Sequence, residues 1–316
     1  MPTAGMSELE SPRDPELEAL LHGALLRPMP ELATLVVTGS ERQKWLAGLV
    51  TCDLGSLAIG RGAYALVTSK TGRIQAEVWV ALDRERLLVG VHREVVPALR
   101  EHLEFYLVME DAELATDDSL VWWLAHGPSA ADVAVAARSL GGVGVMGKLG
   151  ELETAVMALP RHAAPSLAEA LSRAPAVVLA TPEGWDRIRI ERMLPRICVD
   201  FEVGCYPQEA SLESLAVSFQ KGCYVGQEAV FMLEKRGHVQ KRLVRLAGAA
   251  GATPVATGSE ITTPEGEVVG KVTSTAAWGA RVLAMGMVRY KHTTSGTELA
   301  IGGVPFVVSC LASREG

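Results

Sequence analysis

Within eight residues, Lys221-Gly222-Cys223-Tyr224-Val225-Gly226-Gln227-Glu228, the chain places one thiol with two glycines, a lysine before it and a carboxylate after it. A thiolate is the nucleophilic and metal-binding form of cysteine, and a neighbouring ammonium favours it, so Lys221 is a candidate activator of Cys223. Gly222 and Gly226 admit backbone conformations and close approaches that a side chain forbids, which predicts a tight turn open to a ligand. Gln227 and Glu228 add an amide and a carboxylate that could bond a ligand or hold the loop. A structural reading stands beside this one: free cysteine usually packs as a small apolar group, and an acid after a glycine suits a helix N-terminus.

Other residues able to bind ligands lie on either side. Upstream are Arg187-Ile188-Arg189-Ile190-Glu191-Arg192, Leu194-Pro195 and Cys205-Tyr206-Pro207-Gln208-Glu209-Ala210. Downstream, Arg236-Gly237 precedes the alternating run Lys241 to Leu246. Arg189 could meet an anionic group or form an ordinary exposed pair with Glu191. Glu209 could serve a ligand or cap a helix beginning near Ser211.

These residues together resemble the YgfZ family of folate-binding proteins, relatives of the glycine-cleavage T protein, a tetrahydrofolate-dependent aminomethyltransferase. The octapeptide is the specific part, and residues 187–246 extend it. A weaker likeness runs through Val36 to Gly39, Trp45 to Leu54 and Lys70 to Ile74, and through Val269 to Ser274 and Ala284 to Arg289. The middle, about 111–180, is similar only in layout. The resemblance implies an α+β chain with the three-domain, ring-like aminomethyltransferase fold and a C-terminal β-barrel. It implies tetrahydrofolate or a derivative as ligand, no permanent metal, and support of iron–sulfur cluster assembly or repair in client enzymes, with Cys223 as the key residue. Folate contacts are then expected from Lys221, Gly222, Tyr224, Gly226, Gln227 and Glu228, with Arg189, Lys221 or Arg236 meeting the carboxylate tail. The expected partners are folate and iron–sulfur client or assembly proteins, with no direct nucleic acid and no membrane.

The sequence departs from the transferases of that group at two places. Where they carry an Asp-Asp pair, this chain has Ala76-Glu77. Strand alternation sends those two side chains to opposite faces, so a single carboxylate reaches any common site. Met146-Gly147-Lys148-Leu149-Gly150 occupies the place of a Tyr-Thr-Gly-Glu-Asp-Gly type segment. Both departures point away from glycine cleavage. Two alternatives stay open: a folate-dependent aminomethyl or one-carbon transferase using Glu77, and a non-catalytic interaction protein on the same fold.

Composition restricts the classes further. At 316 residues the chain is long enough for two or three domains with a sizeable core. A net charge of −7 argues against binding nucleic acid through general phosphate attraction. No apolar stretch reaches the roughly 18–20 residues needed to cross a bilayer, and the acidic, proline-containing start lacks a secretion signal, so a cytoplasmic protein is expected. Five cysteines without CxxC suggest no disulfide framework, and seven scattered histidines form neither HxH nor HExxH, so no metal site is readable.

The elements that must position these groups alternate between helical and strand periods. Ser40 with Gln43 has the spacing of a capping box ahead of Trp45, Leu46 and Leu49. Ile74, Ala76, Val78, Val80 and Leu82 alternate with more polar residues as in a half-buried strand. Leu99, Leu103 and Tyr106 return to helical spacing, Leu120 to Ala125 reads as a strand, and Ser166 with Glu169 caps another helix. Beyond Gly237, strands are predicted at 241–247, 258–263, 267–275, 282–290, 297–301 and 304–311, with turns at Pro264-Glu265-Gly266 and Gly302-Gly303. The expected organisation is a disordered extension at 1–15, a split folate domain at 16–110 plus 186–238, an α+β domain at 111–185, and a barrel at 239–316.

Overall fold

The computed structural model describes residues 14–309, except 173 and 175. Most of the expected N-terminal extension lies outside the described residues. Its end does not: Asp14 Oδ1 accepts the amide hydrogens of Glu16 and Leu17 at 3.0 and 3.3 Å, capping helix α1 (Pro15–His22). The chain divides into two compact units. One, the sheet unit, takes residues 19–180 and 201–239; the other, the barrel unit, takes the described residues up to 18, then 181–200 and those from 240 onward.

In the sheet unit the order is β1 (Ala24–Met29), β2 (Leu32–Thr38), α2 (Arg42–Ala47), β3 (Gly62–Thr68), β4 (Ile74–Leu82), β5 (Leu87–His92), α3 (Val96–Glu104), β6 (Glu113–Thr116) and β7 (Leu120–His126). There follow α4 (Ala130–Ser139), β8 (Val143–Leu149), β9 (Leu152–Pro160), α5 (Ala164–Ser172) and β10 (Val177–Leu179). One five-stranded sheet runs β10-β1-β7-β9-β8 and the second, fully antiparallel, runs β3-β4-β5-β2-β6. The alternation read in β4 is present: Ile74, Ala76, Val78, Val80 and Leu82 are all buried. Trp79, on the opposite face, is buried too, because the two sheets pack together there. Gly90 makes room for that packing; a Cβ on it would lie 2.8 Å from the Trp122 indole, whose Nε1 donates to Thr34 Oγ1 at 2.9 Å. The outer faces are covered by helices, with Trp45, Leu46, Leu99 and Leu103 over the second sheet and Val133, Ala134, Ala137 and Leu167 over the first.

Three local expectations are corrected. Ser40 does not cap α2: its hydroxyl donates to Asp111 at 2.6 Å, while Gln43 donates to the carbonyls of Leu54 and Leu57, both at 2.8 Å. Ser166 lies inside α5, which begins at Ala164. Tyr106 lies past the end of α3.

The barrel unit contains α6 (Pro182–Glu191), capped by Thr181 Oγ1 accepting from the Gly184 amide at 3.0 Å. Between α6 and the barrel, the short α7 (Glu213–Ala216) and α8 (Gln227–Arg236) belong to the sheet unit. The barrel strands are β11 (Lys241–Gly248), β12 (Glu260–Thr262), β13 (Val268–Trp278), β14 (Arg281–Arg289), β15 (Glu298–Ile301) and β16 (Val304–Ser309). They close in the order β11-β14-β13-β12-β15-β16 around Leu246, Ile261, Val272, Val288 and Phe306. All six predicted strands are present, the last within its described part; the hairpin at Gly302-Gly303 has φ of 58° and 79°, the positive pair that a two-residue type I′ turn demands. The chain is thus α+β with a closed C-terminal barrel.

Candidate functional site

The loop carrying Cys223 is fastened to the sheet unit at four successive points. Ser218 donates its amide hydrogen to Thr51 O at 2.9 Å, and Lys221 Nζ donates to the carbonyls of Ala47 and Val50 at 2.5 and 2.7 Å. Val225 N–H reaches Gly48 O at 3.0 Å, while its own carbonyl accepts from Thr68 Oγ1 at 2.6 Å. Gly226 then turns with φ of 84° against the β3–β4 turn; a Cβ there would meet Ser69 O at 2.2 Å and Gly72 Cα at 3.0 Å. Glycine at 226 is therefore required by conformation and by space. Gly222 is not constrained in this way, since a Cβ on it meets nothing within 4 Å.

These ties alter the roles expected for several residues. Lys221 is not directed at a ligand tail or at Cys223: its ammonium joins the carbonyls at the end of α2. Burial lowers its pKa, and its charge acts on Cys52 and Asp53. The thiol so affected is Cys52, which burial nonetheless pushes up to about 11 against the pull of Lys221. Cys223 itself is exposed, so the reading of a small buried cysteine does not hold. Tyr224 is buried, with Lys221 Nζ 5.1 Å from its ring centre, and burial raises its hydroxyl to about 12. Gln227 holds the loop, its Oε1 accepting from Tyr224 N at 3.3 Å, and Glu228 is exposed in the first turn of α8. Arg236 closes α8, with its side chain outside the described residues.

Arg189 belongs to the barrel unit and is only 2 % exposed, so it forms no surface pair with Glu191. Its three nitrogens donate to Asp186, to Asp200 at 2.6 Å and to Ser274 at 2.7 Å. Asp200, equally enclosed, also accepts from Arg196 N, Thr273 Oγ1 and Ser274 Oγ. With its donors so occupied, the guanidinium braces α6 against β13 and is withdrawn from the set that could receive a carboxylate tail. Glu209 caps a turn, its carboxylate accepting from Tyr206 N at 2.9 Å, and does not start a helix at Ser211.

One pair was missed in the sequence. Tyr64 of β3 donates its hydroxyl to Glu77 of β4 and packs against Trp79 with ring centres 4.9 Å apart. Burial, and next the Glu77 carboxylate, hold the phenol well above its ordinary pKa. Glu77 is half-buried, while Ala76 faces the opposite side, in the core, as alternation requires. The signal was obscured by an irregularity: Thr68 pairs with Ile74 but Val67 with Ala76, so a bulge shifts the register. Counting back from the turn without that bulge puts Glu77 opposite Ala65 and hides Tyr64. The pair and the Cys223 loop share strand β3, Tyr64 being four residues before the Thr68 that holds Val225.

Comparison with known proteins agrees with this architecture. Residues 240–311 match the family model described as the CAF17 C-terminal beta-barrel domain. The chain is 26% identical over 333 residues to mitochondrial aminomethyltransferases of Canis lupus familiaris and Mus musculus, each match covering 94% of this chain and 81% of the relative. The structure of the glycine cleavage system aminomethyltransferase T from Bartonella henselae superposes with a TM-score of 0.78 at 21% identity, covering 94% of this chain and 88% of that one. The chain has the T-protein fold, and these likenesses support a place in the T-protein-like superfamily with a CAF17-type barrel.

Proposed function

We propose that this chain is a tetrahydrofolate-binding protein of the YgfZ type that supports assembly or repair of iron–sulfur clusters in client enzymes, with Cys223 as its reacting group. The observation that carries the reading is the fastening of the loop: residues 218, 221, 225 and 226 are tied down, and Cys223 is left exposed. A single thiol cannot hold a cluster that needs four such ligands, so Cys223 acts transiently, lending a ligand or protecting a partner's cluster. Substituting Cys223→Ala in cells without another copy should lower the activity of iron–sulfur enzymes to the level of the deletion at unchanged protein abundance. Full support of those enzymes by the variant would overturn the assignment.

The T-protein fold over most of the chain supports the folate part. A folate needs a carboxylate or amide for its pterin edge, apolar walls and a cation for its tail. Glu77, beside Tyr64 and Trp79, fits the pterin end as a half-buried carboxylate on an aromatic floor. For the tail, neither Lys221 nor Arg189 has its charge to spare, and the Arg236 side chain lies outside the described residues. Gly222, Tyr224, Gly226, Gln227 and Glu228 act on the ligand through the shape of the loop. Bound tetrahydrofolate supplies an amine that carries one-carbon units.

A second reading rests on Tyr64 and Glu77. A carboxylate receiving a buried phenol's hydrogen bond can serve as an acid–base centre, and it suits an aminomethyl or one-carbon transferase with Glu77 in place of the absent aspartates. Glu77→Gln should then abolish ammonia release from an aminomethylated carrier, whereas the first reading expects no such turnover in the wild type.

A further inference from the structure

Strand β6 is the outer strand of its sheet, hydrogen-bonded on one side to β2. Asp117 N–H donates to Thr34 O, and Asp111 O accepts from Glu41 N–H, both at 3.0 Å, so the odd-numbered residues turn toward β2. Antiparallel alternation then turns the backbone groups of Leu114 and Thr116 outward. Among the described residues, no hydrogen bond engages those outward groups.

The turn leading into this edge carries exposed apolar side chains: Phe105 is 67%, Val108 79% and Met109 91% exposed. They are held out in a fixed turn. Glu110 accepts the amide hydrogens of Val108 and Met109 at 3.3 and 3.1 Å, Glu41 accepts that of Asp111 at 3.0 Å, and Asp111 accepts from Ser40 N and Oγ. Residues 101–118 carry carboxylates at Glu101, Glu104, Glu110, Asp111, Glu113, Asp117 and Asp118 and no lysine or arginine. The cations that approach from elsewhere or from α3 are engaged: Lys44 with Glu41, Arg100 with Glu104, Arg161 with the Asp118 carbonyl at 3.0 Å, and Lys70 over the Phe105 ring at 5.4 Å. Charged edges ordinarily prevent self-pairing, yet that device does not account for two nearly bare apolar side chains held beside the edge.

We propose that β6 and the turn before it form a docking edge for an extended, basic segment of a partner protein. The segment adds a strand through the outward groups of Leu114 and Thr116, sets apolar side chains on Phe105, Val108 and Met109, and places Lys or Arg against Glu110, Asp111 and Glu113. The charge excludes a second copy of this acidic edge and an anionic membrane surface.

The test is fluorescence anisotropy at physiological salt with a labelled, alternating Lys-Val octapeptide, its Glu-Val counterpart, and the Lys-Val peptide N-methylated at every residue, which blocks both strand edges. Saturable binding of the first alone is expected. Affinity should fall at least tenfold in Thr116→Pro, which removes an outward donor and spares the β2 ladder, and in the exposed double substitution Val108→Ser with Met109→Ser. Absent saturation at millimolar peptide, equal binding by the N-methylated peptide, or unchanged affinity in both variants would overturn the proposal. So would a wild-type dimer in sedimentation velocity that Thr116→Pro abolishes, because a second copy would then occupy the edge.

Discussion

Arg189 and Lys221 are both buried or half-buried cations that the sequence marks as candidates for the same anionic tail, yet their surroundings differ from those of Cys223 in one respect. The Arg189 network in the barrel unit is closed: guanidinium, Asp200 and Ser274 satisfy one another. In the sheet unit, Lys221 is likewise consumed by carbonyls, but its consumption leaves Cys223 outside. Residue type nominates a group for chemistry; whether its hydrogen bonds are already saturated decides between framework and site.

The sharpest break in that comparison is Arg189→Met. It leaves Asp200 buried with its charge partner removed, and such breakage costs about 3–5 kcal/mol, to be read from denaturant unfolding. Loss of about 1 kcal/mol or less would mean that the network is not closed. In the loop, Gly226→Ala should cost about 2–3 kcal/mol, because it strains a left-handed residue and drives Cβ into Ser69, while Gly222→Ala should stay within about 0.5 kcal/mol. Equal effects at the two glycines would contradict the fastening described.

A third buried titratable group is a histidine of the sheet unit. His126 is fully buried, bonds Thr154 at 2.9 Å, and burial, together with the Arg27 charge, lowers its pKa to about 3. The unfolded chain takes up this proton near pH 6.5, whereas the folded one does not until about pH 3. Stability is therefore complete above about pH 6.5 and falls with acidification at up to about 1.4 kcal/mol per pH unit, or about 2 kcal/mol by pH 5. Unfolding curves for His126→Asn should lack that slope. Lys221→Met should cost less than the Arg189 or Gly226 substitutions, about 1–2 kcal/mol, because the ammonium's relief from burial offsets part of its two lost charge-assisted bonds. A thiol reagent should label Cys223 well before Cys52 in the wild type, and this variant, which removes the cation that lowers the Cys52 pKa, should slow labelling of Cys52 further.

The barrel was legible because its information is local: alternating strands and a Gly302-Gly303 turn specify neighbours in sequence. The Cys223 octapeptide was legible as a motif for the same reason. What it touches was not, since Lys221 reaches Ala47 and Val50 across most of the sheet unit's chain. Arg189 was misread because its partners Asp200 and Ser274 become neighbours only when α6 packs on the barrel. Tyr64 was hidden by one bulge, a two-against-one count that no alternation in β4 reveals.

The most direct test of the folate-based account is anaerobic calorimetric titration of the purified protein with tetrahydrofolate. The account predicts saturable one-to-one binding that Glu77→Gln weakens and Cys223→Ala leaves in place. Absence of heat at millimolar ligand would contradict it and leave Cys223 as a thiol on a T-protein fold without the cofactor.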